Sequence, residues 1–241
     1  MPKMEKEIRF DVTQFDSKGQ LKPDALLTAF QDIASDHVDH YHVGMEDLIK
    51  INLLWVVIQT KYVVKEKVLP DQKYIIATWS LKPRHGMVQR EYSLCDETGK
   101  HLIIGVSRWV LMDLNTRKAT LKMEEVLANF KQHDVSNFEK RQRLLKPFPQ
   151  TDNGHVVVPD ESAIDFNDHV NNSCYAAYAT DLLQPDSGRI SEFTIDYHKE
   201  MRLGETLVLY QQADAEAGTV DVEGFSEVGD ELVFVCNMKM E

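Results

Sequence analysis

Three shortages narrow what this 241-residue chain can be. It has 3 cysteines (Cys95, Cys174, Cys236) and no CxxC pair. That argues against a disulfide framework or a structural zinc site and fits a reducing compartment. It has no long apolar run; the clearest, LLWVVI at 53–58, falls far short of the roughly 20 residues that a membrane-spanning helix needs. It is also short of positive charge, with 27 Lys and Arg against 39 Asp and Glu and a formal net charge of −12. Nucleic acid is therefore not an expected partner, because phosphate binding needs a concentrated cationic surface. The opening MPKMEKEIRFDV has neither an apolar signal core nor an Arg/Ser-rich transit segment, so the expected location is cytoplasmic.

What is present is the composition of an ordinary globular protein, 43% hydrophobic and 27% charged. One pattern occurs twice. In the first half, KPDALLTAFQDIASDHV carries Leu26, Leu27, Phe30, Ile33, Ala34 and Val38 at helical spacing behind Pro23 and Asp24, a helix start. Four strand-like segments follow: LLWVVIQTKYVV, YIIATWSL, VQREYSLCD and HLIIGVSRWVLMDL, the last two joined by the turn DETGK. A charged stretch at 131–154 has no apolar face and ends in two prolines, an Asn and a Gly, which reads as a linker with room for one exposed helix. The pattern then returns: HVVVP, a polar stretch, the apolar helix NSCYAAYATDLL, and strands in RISEFTIDYHKE, ETLVLYQQA, TVDVEGFSEV and ELVFVCNMKM. A long helix followed by four antiparallel strands, repeated once, predicts an α+β fold of two fused units, each a sheet wrapped around its helix. The expected division is 1–130, a linker at 131–154, and 155–241.

The polar stretch, DFNDHVNN at 165–172, appears only in the second copy; the first helix opens with SKGQLKPD instead. One site per chain is implied, with the first unit free for another purpose, such as holding the apolar part of a substrate. Asp165, Asn167 and His169 are spaced i, i+2, i+4, so in an extended segment they would share one side, with Phe166 and Val170 on the other. Asn171, Asn172 and Ser173 suit a helix cap, and unpaired first-turn N–H groups would lie beside the three. An acid, an amide, an imidazole and backbone donors are what acyl hydrolysis requires: activation of a nucleophile, proton transfer, and stabilisation of an oxyanion. The plainer reading is that these residues cap a helix beside a satisfied loop histidine.

DFNDHVNN resembles the D-x-N-x-H-V-N-N signature of acyl-acyl carrier protein thioesterases, enzymes of double hotdog fold. WVVIQTKYVV resembles that family's W-V-V strand, SRWVLMDLNTRKAT its K/R-W-V-x-M-x-x-x-T-R strand, and RFDVTQFDSKGQLKPDALLTAFQDIASDHV its first strand and helix. The resemblance runs from about residue 7 to 241, with the motifs in family order. It implies catalytic roles for Asp165, Asn167 and His169 and adds Glu200, in EFTIDYHKEMRLGE, which matches the acid of the family's E-Y-x-x-E-C stretch. Asp196, His198 and Glu200 are expected to alternate onto one strand face. Plant members commonly carry Cys after that Glu; Met201 stands here, and a thioether cannot become a thiolate. Cys174 lies in an apolar helix, where a thiol is ordinarily inert. Two carboxylate routes stay open: attack by Asp165 to give an anhydride that Glu200-activated water hydrolyses, or direct attack by water activated by Asp165 or Glu200.

The resemblance further implies hydrolysis of fatty acyl-acyl carrier protein, no cofactor or metal, a first unit that shapes the acyl pocket, and an acidic carrier as partner. Because the chain is itself acidic, attraction would fall to local patches: Lys131, Lys140, Arg141, Arg143 and Lys146; Arg84 and Arg90; or Arg117, Lys118 and Lys122. Rival readings are a coenzyme A thioesterase and a non-catalytic acyl-binding protein. Fusion supplies the unit pairing within one chain, so either a monomer or a homodimer is compatible. His37, His40 and His42 in DHVDHYH suggest a metal only weakly, since histidines also suit a helix C-terminus.

Overall fold

The computed structural model describes residues 2–140, 142–150 and 154–241. Its strands are β1 (Lys3–Ile8), β2 (Leu53–Val64), β3 (Tyr74–Ser80), β4 (Met87–Cys95), β5 (His101–Asp113), β6 (Lys118–Ala119), β7 (His155–Val157), β8 (Ile190–Tyr197), β9 (Leu207–Asp214), β10 (Thr219–Ser226) and β11 (Glu231–Met240). Its helices are α1 (Pro23–Asp39), α2 (Met45–Ile49), α3 (Met123–Val126) and α4 (Asn172–Asp181). All strands join one antiparallel sheet in the order β1-β3-β4-β5-β2-β8-β11-β10-β9-β7, with β6 on β5. The halves meet where β2 pairs β8, Gln59 opposite Asp196 through Val63 opposite Glu192.

The inner face of this sheet closes over α1 and α4, which pack against each other. Leu26, Leu27, Phe30 and Ile33 of α1 are buried with Phe193, Phe234 and Met238 of the second half, so one core serves both units. Each such side chain contributes about 1.5–3 kcal/mol on burial. Alanines (Ala25 and Ala29 on α1, Ala176 and Ala179 on α4) keep the buried helix faces slim. Gly105 is forced by the same packing: a Cβ there would lie 2.5 Å from the Phe30 ring, which stacks on Tyr92 at 4.3 Å. A second, smaller cluster, including Leu48, Val88, Leu111, Leu127 and Phe130, gathers beside the end of α1.

The segment after α3 departs from the expected exposed helix: among the described residues of 131–150 none is helical. It crosses the outer face of the sheet in extended form, because that face buries carboxylates that need donors. Glu91 accepts N–H from Asn137 (2.9 Å) and the Ser136 hydroxyl (2.8 Å). Asp196 accepts the Leu145 N–H and the Gln59 amide (2.6 Å), and Gln59 also donates to the Arg143 carbonyl (2.8 Å). Glu223 accepts the Phe148 N–H. Burial pushes all three carboxyls above the ordinary range, against those hydrogen bonds. Arg141, one of the expected basic residues, and 151–153 at the end of the linker lie outside the described residues.

Glu223 gives a direct test, since its Oε2 is buried without a partner. A carboxyl raised by burial favours the fold most when protonated, so its contribution is complete below the ordinary value near 4.5 and declines as pH rises through the raised value. Glu223→Gln keeps an acceptor for Phe148 and removes the charge. Urea denaturation should find the variant gaining on the wild type between about pH 4 and pH 7, by about 1 kcal/mol for each unit of elevation. A difference that does not change with pH would show that Glu223 is comfortably ionised.

Candidate active site

β8 stops at Tyr197, whereas β2 extends past it to Leu53. The first residues of β2 therefore have β5 on one side and no strand on the other. A bulge between Val57 and Gln59 re-aims the side chains at this point. Into the gap come the turn that precedes α4 and the loop that follows β8.

The turn is tighter than the extended segment expected from the alternation. Ile164 bridges Val170, the Asp165 N–H donates to the His169 carbonyl (2.8 Å), and Asp168 takes a left-handed φ of 61°. Asp165 Oδ1 closes the turn by accepting the Asn167 N–H at 2.8 Å and, more distantly, that of His169 at 3.4 Å. Asn171 caps α4 through the Ser173 N–H (2.9 Å), and the Cys174 N–H donates to the Asn171 carbonyl. Two first-turn donors foreseen for an oxyanion are thus already spent.

Glu200 is not on a strand, so the expected alternation with Asp196 ends at Tyr197. Asp196 faces the linker, while Glu200 reaches the turn. The loop is fastened through the peptide of Met201: its carbonyl accepts the Val170 N–H (2.8 Å) and its N–H donates to the Tyr175 hydroxyl (3.2 Å). Glu200 Oε2 then lies 3.3 Å from His169 Nε2 and 2.8 Å from Arg117 Nη2. The imidazole contact is misaligned for a hydrogen bond, so Nε2 is buried without a hydrogen-bond partner among the described residues. Arg117, from the β5–β6 turn, supplies a cation across the two halves; the sequence marked it in the Thr-Arg pair of SRWVLMDLNTRKAT and as a docking cation, not as a partner of Glu200.

Asp165, Asn167, His169 and Glu200 all line one cavity of about 670 Å³, together with Trp55, Trp109 and Arg117. Leu54, Trp55, Trp109 and Asn167 also line a second cavity of about 730 Å³, walled by α1, α2 and Phe130 in the first half. The polar cavity therefore adjoins a chamber lined by Val38, Val88 and Leu127. Cys174 is half-buried and Cys236 fully buried, and burial raises both thiols, away from the reactive thiolate. Of the expected basic residues, Arg90 is buried and Arg117 is paired with Glu200, while Arg84, Lys118 and Lys122 are exposed. His37 is buried against Tyr41 and Phe130 with Arg90 on its Nδ1, and among the described residues no three His, Cys, Asp or Glu converge as a metal site. Among the described residues no helix is long and apolar enough to cross a membrane.

Residues 2–130 match the model of the acyl-ACP thioesterase N-terminal domain, and residues 150–232 that of the acyl-ACP thioesterase C-terminal domain. The chain belongs to the acyl-ACP thioesterase family. A palmitoyl-acyl carrier protein thioesterase of Gossypium hirsutum is 31% identical over 166 residues, covering 64% of this chain and 40% of its own length. A dodecanoyl-[acyl-carrier-protein] hydrolase of Umbellularia californica is 25% identical over 201 residues, covering 76% of this chain and 52% of its own. The chain spans about half the length of the curated relatives it matches. The fold is that of an acyl-ACP thioesterase from Bacteroides thetaiotaomicron (TM-score 0.90, 22% identity, 100% of this chain and 98% of that one). It is also that of the 12:0-ACP thioesterase of Umbellularia californica (TM-score 0.86, 17% identity, 99% and 97%). The expected pair of fused hotdog units is thereby shown.

The fastening of the Glu200 loop can be tested without any substrate. Tyr175→Phe removes the acceptor of the Met201 N–H, a loss of about 1 kcal/mol. Hydrogen exchange at the Met201 amide should quicken by roughly five- to tenfold. Unchanged protection would mean that the phenol does not hold this loop.

Proposed function

We propose that the chain hydrolyses fatty acyl thioesters of acyl carrier protein, releasing the free fatty acid and the carrier thiol. The observation that carries this reading is the meeting of Asp165, Asn167, His169 and Glu200 around one cavity that adjoins a second chamber with apolar side chains on part of its wall. The thioester sits in the first space and the acyl chain in the second. Labour is divided accordingly: residues 1–130 shape the chamber, 131–154 tie the halves, and 155–241 carry the chemistry. Family membership and relatives named as carrier-protein thioesterases or hydrolases support the same substrate.

Water attacks the thioester carbonyl directly. Glu200 takes its proton, and His169, whose Nε2 faces that carboxylate, returns one to the departing thiolate. The Asn167 amide donates to the oxyanion, the role its place in the cavity suits. Asp165, held by the turn's N–H groups, fixes the water's second hydrogen with its other oxygen. One water is consumed, the C–S bond breaks, and no redox partner is needed.

The decisive assay is fatty-acid release from acyl carrier protein esters beside matched coenzyme A esters. Glu200→Gln and Asp165→Asn should each lose about 10²–10⁴-fold in kcat, with far smaller changes in KM. Intact-mass spectrometry of Glu200→Gln during turnover should show unmodified protein; an acyl adduct would overturn direct attack in favour of an anhydride on Asp165. Release from coenzyme A esters alone would change the substrate, and no release from either would remove the enzyme reading.

A further inference from the structure

The chamber in the first unit is not uniformly apolar. Arg90 and Ser80 are part of its wall. They stand directly opposite each other on β4 and β3, so their side chains leave the same face of the sheet. That face is the inner one, because Arg90 reaches α1: its Nη1 donates to His37 Nδ1 (3.0 Å), with Thr78 Oγ1 at 3.3 Å. A guanidinium only donates, so His37 accepts at Nδ1 and is uncharged. The neighbouring Glu91 points to the opposite face, where Ser136 and Asn137 hold it.

Arg90 is 4% exposed, and among the described residues no Asp or Glu forms an ion pair with it. Ser80 is 1% exposed, and its Oγ has no hydrogen-bond partner among the described residues. Among the described residues, a buried cation without counter-charge therefore adjoins a buried hydroxyl without a partner, and both residues belong to the chamber wall. His37 and Thr78 occupy only part of the guanidinium's donor capacity, a hydroxyl left unpaired in a core costs stability, and a saturated hydrocarbon tail would strip water from both groups and return nothing.

We propose that Arg90 and Ser80 form an oxygen-reading subsite, and that the acyl chains favoured here carry a hydroxyl or keto oxygen some way from the thioester. Arg90 donates to that oxygen, and Ser80 donates to it or accepts from a hydroxyl. Val88, Trp55 and Phe130 take the methylenes on either side. The inference rests on the thioesterase reading and names the substrate class of that site.

The test is a competition between twelve-carbon acyl carrier protein esters, one unsubstituted and the others bearing a single hydroxyl at successive positions. At least one hydroxylated isomer should exceed the plain ester in kcat/KM by roughly tenfold, the worth of one hydrogen bond to a charged group. Ser80→Ala should lower that ratio severalfold, the worth of one neutral hydrogen bond, and melt no lower than the wild type. Plain esters hydrolysed as fast as every isomer would overturn the subsite and leave the thioesterase intact. If no ester is cleaved, the thioesterase reading fails, and the subsite is judged by binding of the free acids, read from quenching of the cavity-lining Trp55 and Trp109. The same preference there, reduced in Ser80→Ala, supports it; equal binding of plain and hydroxylated acids overturns it.

Discussion

Everything about the site depends on how the two halves are joined, and that joint is polar. Where β2 meets β8, Gln59 and Asp196 face each other across the strand pair with almost no exposure to water. Side by side they satisfy only part of each other's capacity. The backbone of 143–145 adds a carbonyl for the amide and an N–H for the carboxylate, and Arg108 donates to the Gln59 oxygen at 3.4 Å. Unpaired buried polar groups are costly, so sheet and linker fix each other's path. The register set there leaves the start of β2 unpaired beyond the end of β8, and the candidate site occupies that opening.

The halves are therefore not two domains on a tether. A single core contains residues from both, a single sheet runs through both, and Glu200 of the second half is paired with Arg117 of the first. The cavity's apolar walls come from β2 and β5, whereas its acids and imidazole come from the turn before α4 and the loop after β8. Duplication of a simple unit has produced an asymmetric object in which each copy supplies what the other lacks.

Much of this was legible in the chain. Helical spacing located α1, β-branched and aromatic content located the eight longest strands, and α4 was marked by its small apolar residues behind a run of caps. DFNDHVNN marked the place of Asp165, Asn167 and His169. It did not reveal their conformation, because alternation cannot distinguish a strand from an Asx-closed turn that returns on itself. The linker misled for a related reason: its charges suggested an exposed helix, but its path is set by Glu91, Asp196 and Glu223, residues distant in sequence. Arg90 looked like a surface cation and is buried, since nothing in VQREY says which face of β4 meets α1.

The loop that carries Glu200 is fixed through the peptide group of residue 201, with Val170 on its carbonyl and Tyr175 on its N–H. A peptide group is common to all residues but proline, so the hydrogen bonds of the clamp do not depend on which side chain they pass through. The side chain makes a separate demand, because Met201 is fully buried in the main core. A thiol there would keep the backbone address and leave a hole where the thioether packs.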